Sequence, residues 1–145
     1  MTFNEKTFVP YKNTDWNYIV QVYNLSEEFI EKYFDRLKPI PILVYQQLSE
    51  DFLIKYQDIW DWDFVCSDQK ISEEFIEKNE HLISWYWICG YQKMSKQFII
   101  KHWKKMNMIS LNRNENLSKK LKEEISSWTK NNYLDFLAKI EDRLL

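Results

Sequence analysis

The chain has 145 residues, 45% of them hydrophobic and 17% aromatic, with 20 Lys and Arg against 22 Asp and Glu. That length predicts one domain, 1–145, with ample material for a core. A mean hydropathy of −0.57, with no apolar run near about 18 residues, excludes a membrane-spanning helix.

Residues 1–14 hold no basic stretch followed by an apolar core, so no signal peptide is expected and the cytoplasm is the expected location. They read as an irregular lead-in whose Phe3, Phe8, Val9 and Tyr11 lie over the first helix as a cap. From Asp15 the chain repeats itself every 23 residues, a period that marks an array of helical units. Leu25-Ser26-Glu27-Glu28-Phe29-Ile30-Glu31-Lys32 returns as Leu48-Ser49-Glu50-Asp51-Phe52-Leu53-Ile54-Lys55. It returns again as Ile71-Ser72-Glu73-Glu74-Phe75-Ile76-Glu77-Lys78 and as Met94-Ser95-Lys96-Gln97-Phe98-Ile99-Ile100-Lys101, with a worn copy at Leu117-Ser118-Lys119-Lys120-Leu121. Each Ser is a helix N-cap, accepting a bond from an unpaired first-turn amide. The apolar residues before it and four after it form a hydrophobic staple. The acidic pairs fill the first two helical positions, where the helix dipole favours negative charge.

The rest of each unit predicts a second short helix. Trp16, Trp62 and Trp85 share one position, with Pro39 in the remaining unit, and Ile19, Ile42, Val65 and Ile88 follow three residues on. Then come Tyr45-Gln46, Asp68-Gln69 and Tyr91-Gln92, so the apolar positions share one helical face. Asp15, Asp61 and Ser84 are positioned as caps, and Pro39 and Pro41 fall in a first turn, where a missing N–H costs little. Helices this short are marginal alone and persist by burying faces against neighbouring copies. With one glycine in the chain, turns must be closed by capping side chains. Paired helices are expected over 15–106 and an Asn-rich loop over 107–116. A C-terminal helical cap is expected over 117–145, with Leu121, Ile125 and Trp128 on one face, then Leu134, Leu137, Ile140 and Leu144, broken near Asn131-Asn132. The expected fold is all-α: a solenoid-like array of short two-helix repeats with that cap.

The repeats over 15–106 resemble a family of short helical repeats common in proteins of large DNA viruses and phages. There, units like Leu-Ser-Glu-Glu-Phe-Ile-Glu-Lys, followed by Trp and then Tyr-Gln, run in tandem. The chain departs from that pattern at Pro39, at Asp68 and at Lys96-Gln97. The resemblance implies architecture and no activity. The abundance of Lys, Asn, Ile and Tyr matches what AT-rich phage genomes encode. In size and type the chain looks like viral host-interaction or inhibitor proteins, of which anti-CRISPR proteins are one class.

Charge is uneven: residues 1–80 hold 16 acidic against 8 basic side chains, and residues 81–145 hold 6 against 12. Two candidate surfaces follow. Glu27, Glu28, Glu50, Asp51, Glu73 and Glu74, joined by Glu31 and Glu77, would form an acidic ladder if the repeats stack in register. Such a ladder fits a basic protein surface, or imitates the phosphates that a nucleic-acid-binding protein expects. Its plainer reading is helix-terminal charge worth ~0.3–1 kcal/mol each. Lys101, Lys104 and Lys105, with Lys93, Lys96, His102 and Trp103, form a basic group suited to phosphates and base stacking, or else a solvated helix face with Trp103 in the core. Cys66 and Cys89, 23 apart, read as one packing position and not as a disulfide or a zinc site. The recurring Trp16, Trp62 and Trp85 read as core, and Trp60 and Trp87 as packing between repeats or an aromatic strip.

There is no phosphate loop, nucleophile elbow or paired-His metal motif. The expectation is therefore a non-catalytic binding protein, without cofactor or metal. It would occupy a basic surface of a host protein, such as a CRISPR effector or other nuclease, through the acidic ladder. The alternatives are nucleic-acid binding through the basic C-terminal half, an enzyme whose site is assembled from residues distant in the chain, and a head-to-tail homodimer.

Overall fold

The computed structural model describes residues 3–130, with side chains as far as Ser127. Among the described residues the chain is all-helical, without a strand. In chain order the helices are α1 Trp16–Val22, α2 Glu27–Lys32, α3 Pro39–Tyr45, α4 Glu50–Lys55, α5 Trp62–Asp68, α6 Glu73–Lys78, α7 Trp85–Tyr91, α8 Lys96–Lys101, α9 Met108–Arg113 and α10 Lys119–Lys130. Short 3-10 turns occupy Glu80–Leu82 and Trp103–Lys105. No described helix is long and apolar enough to cross a membrane. The chain divides into two compact units, Met1–Ile71 and Ser72–Leu145.

The helices start where their capping residues are. Ser26, Ser49, Ser72 and Ser95 each accept the amide N–H of the Phe three residues on, at 3.1 Å. Ser118 does the same for Leu121 at 3.2 Å. Asp15 caps α1 through Tyr18 N–H and Asp61 caps α5 through Asp63 N–H. Ser84 takes the cap position of α7 without a side-chain bond.

In the first unit, α3 packs against both α1 and α5. Each helix buries two adjacent residues: Ile19-Val20, Phe29-Ile30, Ile42-Leu43, Phe52-Leu53 and Val65-Cys66. In the second unit α7 packs on α9, and Phe75-Ile76, Ile88-Cys89, Phe98-Ile99 and Leu111 are buried. Each such side chain contributes roughly 1.5–3 kcal/mol on burial, which holds six- and seven-residue helices that do not persist by themselves. Both cysteines are free and buried.

The lead-in follows the sequence reading only in part. Phe3 stacks on Tyr23 at 4.6 Å, and Phe8 sits edge-on to Trp16 at 5.8 Å. Val9 and Tyr11 are exposed.

Two expectations are corrected. The Asn-rich stretch 107–116 is not a loop: it holds α9, because Asn107 Oδ1 accepts Ser110 N–H at 2.9 Å and Leu111 is buried. Met108 and Leu111 keep the spacing of Trp85 and Ile88, so the repeat persists there in worn form. The recurring Trp16, Trp62 and Trp85 are not core but half-buried. Trp62 Nε1 donates to Gln57 O at 3.0 Å. Trp60 is the buried one, donating to Leu53 O at 3.1 Å. In α10, Ile125 is buried and Leu121 half-buried, on the expected face. The side chain of Trp128, the break near Asn131-Asn132 and the later cap residues Leu134, Leu137, Ile140 and Leu144 lie outside the described residues.

Candidate functional site

Each repeat ends its odd-numbered helix without a glycine cap, leaving the last carbonyls to be satisfied from elsewhere. The next repeat supplies a glutamine. Gln46 is buried, and its Nε2 donates to Val20 O at 2.5 Å and to Tyr23 O at 2.8 Å. Its Oε1 accepts Leu25 N–H at 2.8 Å. Gln69 repeats the arrangement on Leu43 O, Gln46 O and Leu48 N–H. In the second unit Asn114 takes this role, donating to Cys89 O at 2.8 Å and Gln92 O at 2.9 Å. The recurring Gln is visible in the sequence; its partners, 21–26 residues away, are not.

The acidic pairs split into two roles. The first member lies half-buried at the helix start and reaches the following repeat. Glu27 accepts Ser49 N–H at 2.6 Å and Ser49 Oγ at 3.1 Å. Glu73 accepts Ser95 N–H and Oγ in the same way. Glu5, in the lead-in, does this for Ser26 at 2.7 and 2.6 Å. Glu50 holds the equivalent, half-buried position. These carboxylates fix the cap that starts the next helix. Glu5 was not anticipated: it stands outside the repeat motif, and only the folded lead-in brings it to Ser26.

The second member faces outward. Glu28, Asp51 and Glu74 are exposed. Glu74 pairs with Lys78 on its own helix at 2.6 Å, which lowers its pKa from the ordinary carboxylate value. Glu28 and Asp51 have no partner among the described residues.

One turn further, a different pairing links repeats. Glu31 accepts Lys55 Nζ at 2.6 Å and Tyr56 OH at 2.5 Å. The bond from Lys55, then that from Tyr56, holds the Glu31 carboxyl below its ordinary range and raises the pKa of Lys55 and of the Tyr56 phenol. Glu77 is likewise lowered, by His102 Nε2 at 2.9 Å and then Lys101 Nζ at 2.8 Å.

These bonds decide much about the basic group. Lys101 is paired with Glu77, Lys105 with Glu80 and Lys96 with Glu124. Lys104 is exposed, with no partner among the described residues. Trp103 is 6% exposed and offers no face for a base. Of the expected basic surface, therefore, only Lys93 and Lys104 carry cations without an internal carboxylate among the described residues.

Cys89 receives Asn107 N–H at 3.3 Å on Sγ, and its burial raises the thiol pKa. Among the described residues no three His, Cys, Asp or Glu side chains gather where they would hold a metal ion. No family model, curated protein or solved structure matches the chain.

Proposed function

We propose that the chain is a non-catalytic binding protein, a solenoid-like array of two-helix repeats with a helical C-terminal cap, that docks on a basic surface of a protein partner through its outward carboxylates. The observation carrying this reading is the division of labour in the acidic pairs. Glu27 and Glu73 are spent on the next repeat's serine, whereas Glu28, Asp51 and Glu74 recur at a 23-residue step, exposed and without a partner from a neighbouring repeat. The first unit, residues 1–71, holds 12 acidic against 7 basic side chains, so its field favours a cationic partner. A surface that normally receives phosphates is such a partner, and a host defence nuclease of the CRISPR-effector kind presents one. In that setting the protein acts as a phage or viral inhibitor in the host cytoplasm. The alternative, nucleic-acid binding through Lys101, Lys104 and Lys105, has less support, because two of the three are neutralised internally.

The test compares wild type with Glu28→Gln, Asp51→Asn and Glu74→Gln combined, which spares the carboxylates that join repeats. Both are used as bait in host lysate, with capture read by mass spectrometry. The expected result is a nucleic-acid-binding protein retained by wild type only and displaced by short duplex DNA. Equal capture by both baits, or none, refutes the reading.

A further inference from the structure

A second surface in the first unit has the opposite character. A cavity of about 490 Å³ is lined by Tyr11, Lys12, Trp16, Lys32, Tyr33 and Arg36, a volume within the range of small-molecule sites, about 300–1,000 Å³. Three of the seven Lys and Arg of this acidic unit meet there. One carboxylate, Asp35, also lines it and pairs with Arg36 at 3.0 Å, both side chains being well exposed. Exposed pairs of this kind are weak and readily exchanged.

In the later repeats the lysine equivalent to Lys32 is paired with a carboxylate. Of the three later lysines at this position, two take a carboxylate 24 residues upstream, Lys55 taking Glu31 and Lys101 taking Glu77, whereas Lys78 pairs with Glu74 on its own helix. Lys105, at the position of Arg36, takes Glu80, 25 upstream. Counting back 24 from Lys32 gives Phe8, and 25 from Arg36 gives Tyr11. Neither residue is an acid. Lys32 and Lys12 have no carboxylate partner among the described residues, and Lys32 Nζ instead lies 5.0 Å from the Tyr33 ring centroid.

The rings form a supported platform. Trp16 and Tyr33 meet at 5.0 Å, and Phe8 braces both edge-on at 5.8 and 5.9 Å. Tyr11 is 83% exposed, and its backbone is held by Thr14, whose Oγ1 accepts Tyr11 N–H at 2.7 Å. Cations beside aromatic rings suit a phosphate attached to a planar base.

We infer that this cavity is a nucleotide-binding site, in which Lys12, Lys32 and Arg36 take the phosphate and the Tyr11, Trp16 and Tyr33 rings take the base. It does not depend on the acidic surface. The nucleotide is either free or the end of a single strand.

The experiment is calorimetric titration of the full chain at low salt with AMP, adenosine, inorganic phosphate and a pentanucleotide. AMP is expected to bind at least tenfold more tightly than adenosine or phosphate alone. Lys32→Gln with Arg36→Gln is expected to weaken AMP at least tenfold, and Tyr11→Ala several-fold, with unchanged far-UV circular dichroism. Lys101→Gln with Lys105→Gln is expected to stay within twofold of wild type. A pentanucleotide that binds more tightly than AMP, with the same dependence on Lys32 and Arg36, assigns the ligand to a strand end; equal affinities assign it to a free nucleotide. Absence of binding by both AMP and the pentanucleotide at millimolar concentration overturns the inference. So does AMP no tighter than adenosine, or affinity unchanged in the Lys32/Arg36 variant.

Discussion

Replacing Gln46 with Met keeps the length of the side chain and removes all of its hydrogen bonds. Three backbone groups lose their partner: the carbonyls of Val20 and Tyr23 and the amide of Leu25. Val20 O and Leu25 N–H are buried at these bonds and Tyr23 O partly so, so water replaces the lost bond fully at none of them. A buried polar group left unsatisfied costs about 1–3 kcal/mol. Two such groups and a third partly hydrated one give about 3–6 kcal/mol, a large share of the roughly 5–15 kcal/mol that stabilises a domain. The assay is urea unfolding followed by circular dichroism, comparing midpoints and slopes. Gln46→Glu separates hydrogen bonding from packing. Its ionised carboxylate would accept from Leu25 N–H but face two carbonyl oxygens, and burial raises its folded pKa above the unfolded value. That variant should therefore be less damaged at about pH 4, where the acid is protonated, than at pH 7. If Gln46→Met stays within about 1 kcal/mol of wild type, the glutamine does not join the repeats as described.

The two members of an acidic pair should behave differently. Glu27→Ala should cost about 1 kcal/mol through the lost bonds to Ser49, and Glu28→Ala less than about 0.5 kcal/mol; equal costs in thermal unfolding would refute the division of roles. Glu31 and Glu77 have folded pKa values below the ordinary carboxylate value. Their contribution is present above the unfolded value of about 4.3 and lost as pH falls through the lower folded one. The Tm advantage of wild type over Glu31→Gln with Glu77→Gln should accordingly shrink below about pH 4; an advantage that is flat or growing down to pH 2 contradicts the pairing. Cys66 and Cys89 are buried, and the Cys89 thiol pKa is raised. Both should react with a thiol reagent only as fast as the protein unfolds, so rapid labelling of the native protein would show the thiols to be accessible.

The helix starts and the period were determined by the sequence itself. A Ser cap, its Phe amide three residues on and its flanking staple act within one turn, so Ser26, Ser49, Ser72 and Ser95 announce their helices without help from the rest of the chain. The worn repeat at Asn107–Asn116 was hidden because asparagine favours loops, and its two signals, the Asn107 cap and Leu111, are weak singly. What each polar residue does was decided by tertiary structure. Glu27 and Glu28 are adjacent and chemically identical, yet one meets Ser49 and the other solvent, because a helix turns successive side chains by about 100° and only one points at the next repeat. Gln46 is an ordinary surface residue by composition, and it is buried because orphan carbonyls 23 and 26 residues upstream require a donor. Lys32 follows the same logic: Lys55 and Lys101 take carboxylates that the fold brings from 24 residues upstream, whereas Lys32 has no carboxylate partner among the described residues and lies over the Tyr33 ring. Local bonds are written in neighbouring letters; bonds that span a repeat acquire their partners only when the helices stack.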